Sequence, residues 1–193
     1  MNRLDDLLIS KIRKVTLATL KDSKLNTGLW ATKDNAGNWV LVCSTCIMAW
    51  NDEDVDQDST KLDKLIGDGF EQKYLERFED AEWFSAITPS TSRIVRANRM
   101  PLMSARGVAF EYSLGWSKTT DKKKAHYRPE HLQLAQDIVG EAEMKYMIYP
   151  NGKTEDGREK VWLLIYEGRR PFMIVSNLAE IENAEENTCP TTT

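Results

Sequence analysis

Two cysteines stand three apart in Trp39-Val-Leu-Val-Cys-Ser-Thr-Cys-Ile-Met-Ala-Trp50, and one more, Cys189, closes the chain's complement. A C-x-x-C pair can hold a metal, cycle between dithiol and disulfide, or simply fill a buried strand. Zinc takes thiolates and imidazoles in a tetrahedral set of four. The two histidines of the chain, His126 and His131 in "HYRPEH", have a spacing suited to zinc, so Cys43, Cys46, His126 and His131 make an arithmetically complete set. Strand geometry opposes it. Along an extended chain, side chains three apart point to opposite faces, and both sulfurs reach one ion only if the chain turns at Ser44-Thr45, where no glycine eases a tight knuckle. His131 stands four before Ala135 and seven before Ile138, at the edge of a helix's apolar face, a common place for a core-edge histidine. Redox chemistry is the weakest option: a reactive pair sits at a helix N-terminus that lowers its thiol pKa, whereas "IMAWNDED" runs into an acidic loop. Cysteine is also among the most frequently buried residues. The expectation is that Cys43 and Cys46 pack in a buried strand with no cofactor, zinc on the four-residue set being the alternative.

The second constellation is electrostatic. Residues 93–128 carry nine basic and two acidic groups, whereas residues 50–92 carry four basic and twelve acidic ones, within a chain of net charge -4. The basic residues Arg93, Arg96, Arg99, Arg106, Lys118, Lys122, Lys123, Lys124 and Arg128 flank "VAFEYSLGW", whose alternation puts Val108, Phe110, Tyr112, Leu114 and Trp116 on one side. Positive charge for phosphates with aromatic faces for bases is the pairing used by single-strand nucleic-acid binders. Tyr112 and Trp116 are the candidate stacking residues; the competing reading makes that aromatic face the core side of a sheet. "RGVAFEY" echoes part of an RNA-recognition strand signature but departs from it at Val108 and Glu111. The acidic segment 50–82 offers a second mode, electrostatic docking of a basic protein partner.

Other chemistry is thin. Asp52, Asp54, Asp56 and Asp58 alternate like the start of a calcium loop, but Gln57 and Asp63 stand where the loop needs Gly and Glu. Their simpler use is to solvate a loop, with Asp58 or Ser59 capping the next helix. No nucleophile elbow, phosphate loop or H-E-x-x-H occurs. The composition therefore favours a non-enzymatic binding or regulatory protein, nucleic acid being the first partner class and a metal-dependent enzyme or zinc-stabilised domain the alternative from another class.

The elements that must position these residues follow from periodicity. Apolar residues Leu4, Leu7, Leu8, Ile12, Val15 and Leu20 predict an amphipathic helix over 3–20, and those from Leu62 to Phe78 predict another after Thr60. Pro129 opens a third, carrying Leu132, Ala135, Ile138, Val139 and Ala142. Asp34-Asn35-Ala36-Gly37 and Gly168-Arg169-Arg170 each join two strand-like runs. "PNGKTEDG" reads as a turn and "SKTTDKKK" as a charged loop, while "SRIVRANRMPLMSARG" gives conflicting strand and turn signals. Short connections disfavour parallel crossovers, so the expected fold is α+β, a mostly antiparallel sheet with about three helices packed on it. At 193 residues, one domain over 1–180 with a polar tail at 181–193 is expected. Few cysteines and an N-terminus of mixed charge suggest a cytoplasmic protein.

Overall fold

The Asp34–Gly37 turn reverses the chain between β1 (Trp30–Lys33) and β2 (Trp39–Val42). The Asp34 carboxylate accepts the Asn38 backbone N–H at 2.8 Å, and Gly37 takes φ +81°. In this computed structural model the described residues are 1–19, 29–43, 46–65, 95–96, 98–104, 107–113, 122–140, 144–153, 155–178 and 181–183. Among these residues the helices are α1 (Asp6–Thr19), a short α2 (Thr60–Asp63) and α3 (Pro129–Val139). The remaining strands are β3 (Cys46–Trp50), β4 (Val95–Arg96), β5 (Asn98–Ser104), β6 (Gly107–Ser113), β7 (Lys122–Tyr127), β8 (Met144–Lys153), β9 (Glu159–Glu167), β10 (Arg170–Ser176) and β11 (Ile181–Asn183).

Seven strands form one sheet in the order β1-β2-β3-β10-β9-β8-β4, and four form a second in the order β11-β7-β6-β5. All pairings between the described strands are antiparallel, and the fold is α+β as expected. The main core gathers Ile9 and Ile12 of α1, Leu132, Leu134, Ala135 and Ile138 of α3, Phe110 and Tyr127 of the small sheet, and Leu163, Ile165 and Phe172 of the large one. Trp50 and Phe172 meet edge to face at 5.4 Å, a contact worth about 0.5–1.5 kcal/mol beyond the area it buries. Two polar ties cross between the sheets: the Tyr127 hydroxyl donates to the Val161 carbonyl at 3.1 Å, and Lys123 pairs with Glu159 at 2.8 Å.

Several stretches differ from the sequence reading. "KKKAHY" is strand β7 rather than the end of a loop, because it pairs β6 and β11 on its two edges. Strand β8 runs through Pro150 to Lys153 where a turn was expected; its register slips between Pro150 and Lys153, and Gly152 takes φ +81° there. A bulge of this kind carries a proline that a regular ladder would reject. Ile181–Asn183, at the head of the expected tail, is strand β11. The helix expected from Thr60 to Phe78 is described only as α2, its remainder lying outside the described residues. Ser59 caps α2 as anticipated, accepting the Leu62 N–H at 3.2 Å. Among the described residues, no helix is long and apolar enough to cross a membrane.

Candidate metal centre

The run Trp39–Trp50 is two strands. β2 pairs β3 with Val42 opposite Ile47, Leu41 opposite Met48 and Trp39 opposite Trp50. Continuing that register puts Cys43 opposite Cys46, and the Cys43 N–H donates to the Cys46 carbonyl at 2.9 Å. The chain therefore reverses between the cysteines. The period-two argument holds along each strand, but the reversal resets it: Trp39, Leu41, Cys43, Cys46, Met48 and Trp50 share the face turned to the main core, while Val40, Val42 and Ala49 line the other. Opposite-facing cysteines, the expectation from an unbroken strand, do not occur.

The two sulfurs lie 3.0 Å apart, and the Cys46 N–H donates to the Cys43 Sγ at 3.2 Å. A backbone N–H aimed at sulfur stabilises a thiolate, because it places positive charge where negative charge would develop. Helix α3 brings the third group. Arg128 stands at its N-cap and Pro129 opens the first turn, so His131 falls on the same inward face as Leu134, Ala135 and Ile138. Ligand atoms of Cys43, Cys46 and His131 all lie within 4.8 Å of one another. Their residues are 4%, 3% and 1% exposed.

The local field favours the neutral forms of Cys46 and His131. The Cys46 thiol is pushed well up by its hydrogen bond to Cys43 and then by burial. Burial pushes the His131 imidazole down to about 4, the nearby Arg128 adding to the effect and Glu130 opposing it. A neutral imidazole is the form that ligates metal, and a bound cation is what deprotonates a coordinating thiol. Tetrahedral zinc at about 2.3 Å from sulfur and 2.0–2.1 Å from nitrogen needs ligand atoms about 3.6–3.8 Å apart. The sulfurs must spread by less than an ångström, a side-chain adjustment that leaves the hairpin in place.

His126 is not part of this cluster. It lies on β7 between Ala125 and Tyr127, whose side chains face the main core, so its own is directed to the opposite side of the small sheet. It is buried there. The four-residue set foreseen from spacing thus separates into three that converge and one that does not.

Compared with models of known families, with curated proteins and with solved structures, the chain matches none.

The nucleic-acid candidates fare differently. Tyr112 is 3% exposed and belongs to the main core with Phe110, so its ring offers no stacking surface. Lys123 is tied to Glu159, Lys124 is half-buried and stands opposite Glu111 and Glu182, and Arg128 is half-buried at the start of α3. Arg96, Arg99 and Lys122 lie in strands β4, β5 and β7; their side chains, and all of Arg93, Arg106, Trp116 and Lys118, are outside the described residues. In the acidic segment, Asp52 pairs with Lys33 at 3.0 Å, Asp54 with Arg170 at 3.9 Å and Asp56 with Arg3 at 3.5 Å. Part of that charge is used within the chain.

Proposed function

We propose that this chain is a metal-binding domain in which Cys43, Cys46 and His131 hold one thiophilic divalent ion, zinc by ligand preference. The observation that carries the reading is the convergence of two thiols and an imidazole, from a hairpin tip and a helix far apart in sequence, within 4.8 Å and out of contact with solvent. Two thiols and an imidazole are a borderline-soft donor set, which suits zinc over calcium or magnesium. Binding exchanges two thiol protons for the ion. Its burial suits a structural role, pinning the β2–β3 tip to α3, and no catalytic step is assigned to it. A reducing, intracellular setting fits this role, since it keeps the thiols available to metal.

The test is metal analysis and intact mass of the protein as purified, together with its Cys43→Ser and His131→Ala variants. One zinc per chain, lost in the variants, is the expected result. Absence of metal on a folded chain, or a mass two hydrogens lighter that marks a Cys43–Cys46 disulfide, contradicts it.

The nucleic-acid reading rests on the charge of segment 93–128, +7 from nine basic and two acidic residues. Without Tyr112 as a stacking residue it becomes a phosphate-tracking edge. Its test is single-strand affinity that falls steeply with salt and weakens in a Lys122/Lys123/Lys124→Glu triple variant. Salt-insensitive or absent binding leaves the acidic segment 50–82 and a basic protein partner as the remaining binding mode.

A further inference from the structure

A groove of about 380 Å³ is lined by α1 and by the segment Lys61–Leu65, at the edge of the core that Ile9 and Leu65 enter. Its floor is apolar, formed by Ile9, Leu17 and Leu65; its rim carries Arg13, Lys14, Lys61 and Lys64. Leu17 is 53% exposed and Leu7, further up the same helix, is 80% exposed; among the described residues these are the large apolar side chains left in solvent. At 100° per residue, Leu7, Ser10, Lys14 and Leu17 fall within about 80° of one another, so they form a single stripe. The ten steps from Leu7 to Leu17 extend that stripe about 15 Å along the helix axis.

Among the described residues the rim is short of counter-charge, and no carboxylate forms an ion pair with Arg13, Lys14 or Lys64. The Lys61 ammonium binds two neutral oxygens, the Ser10 hydroxyl and the Asp6 carbonyl, and senses the Asp6 carboxylate at one end of the groove. An apolar floor with a cationic rim selects an occupant that is apolar in the middle and acidic at its edges.

We propose that this groove is the docking site for an acidic amphipathic helix of a partner protein. A helix laid along α1 would place apolar residues at i, i+3, i+4 and i+7 against Ile9, Leu17 and Leu65, and flanking carboxylates against the four cations. The length of the stripe fits a linear occupant of several turns, where a compact small molecule would leave Leu7 uncovered. A nucleic-acid backbone would satisfy the rim but leave the floor bare. The inference is independent of the metal reading, since none of the groove residues belongs to the cysteine–histidine cluster.

The probe is a fluorescently labelled synthetic helix with leucines at those four positions and glutamates on both flanks, followed by anisotropy against the full chain. Saturable binding that weakens with salt is expected, with a loss of roughly tenfold or more in Leu17→Asp and in Lys14→Glu/Lys64→Glu, as for central anchors and their complementary charges. These residues are exposed, so circular dichroism of each variant should match the parent. A peptide with lysine in place of glutamate should not bind. Absent binding at millimolar peptide, or affinity unchanged by both variants, overturns the proposal. So does capture of the protein by anionic phospholipid vesicles with no peptide binding, which would assign the groove to a membrane surface.

Discussion

The sulfurs of Cys43 and Cys46 lie 3.0 Å apart across the tip of the β2–β3 hairpin, on the face that meets His131 of α3. That separation falls between the 2.03–2.05 Å of a disulfide and the roughly 3.8 Å of two thiolates on tetrahedral zinc. The histidine decides the reading, because a disulfide gains nothing from a third buried ligand, whereas an ion does.

If an ion joins hairpin to helix, it stabilises the fold by mass action. At a free concentration of 100 times Kd the gain is about 2.7 kcal/mol, or roughly 5–10 °C in Tm for a chain of this size. Differential scanning fluorimetry with zinc and then with a chelator should show that difference in the native chain. The His131→Ala variant should show little or none.

Gly107 opens β6 with φ +112°, and a Cβ there would lie 2.5 Å from the Tyr127 carbonyl oxygen. Backbone on the partner strand cannot move aside cheaply, so Gly107→Ala should cost about 2 kcal/mol or more. Gly37 also has a positive φ, +81°, but nothing lies within 4 Å of its added Cβ. Gly37→Ala should therefore cost only the backbone term, about 1–2 kcal/mol. Urea midpoints of the two variants test this order, and a larger loss at Gly37 contradicts it.

The Tyr127 hydroxyl joins the two sheets through the Val161 carbonyl. Tyr127→Phe leaves a buried carbonyl without that donor and should destabilise by about 1–3 kcal/mol. Chemical denaturation should show a lower midpoint with an unchanged slope, since the surface exposed on unfolding is the same.

Asp6 fastens α1 to α2: its carboxylate accepts from the Ser59 and Thr60 hydroxyls and from the Lys61 backbone N–H. The Ser59 hydrogen bond is the largest cause holding its pKa below the ordinary value, the Lys61 N–H the next. A carboxyl whose pKa is lower in the folded state binds fewer protons there than when unfolded, so its contribution to stability increases with pH. That contribution is complete above the unfolded value of about 3.9 and is lost as pH falls through the folded value. Comparing thermal unfolding of the native chain and Asp6→Asn between neutral and strongly acidic pH should show a gap at neutrality that closes in acid. A gap that widens in acid contradicts the assignment.

Much of the fold was legible where pattern and punctuation agree. The hairpin at Asp34–Gly37, the reversal at Gly168–Arg169, the Ser59 cap and the start of α3 at Pro129 each combine a periodic run with a residue that fixes the local backbone. Strands β7 and β8 were hidden because Lys122–Lys124 and Pro150 have poor strand propensity, which pairing on neighbouring strands overrides. The site was half legible. Cys43, Cys46 and His131 were all candidates, but the hairpin between the cysteines was missed for want of a glycine. Length held the missing signal: Trp39–Trp50 spans twelve residues, twice an ordinary strand. His126 was grouped with His131 by spacing alone; strand alternation directs its side chain away from the core that His131 enters from a helix.

Cobalt(II) titration of the reduced chain tests the central claim most directly, because thiolate ligation and tetrahedral geometry each leave a separate absorption signature. The account predicts a sulfur-to-cobalt charge-transfer band together with intense tetrahedral d–d bands. Both should saturate at one ion per chain, disappear on adding zinc, and lose their sulfur component in Cys43→Ser/Cys46→Ser. A folded, reduced chain that takes up no cobalt, or one whose spectrum is the same in that double variant, contradicts a metal centre at the hairpin tip.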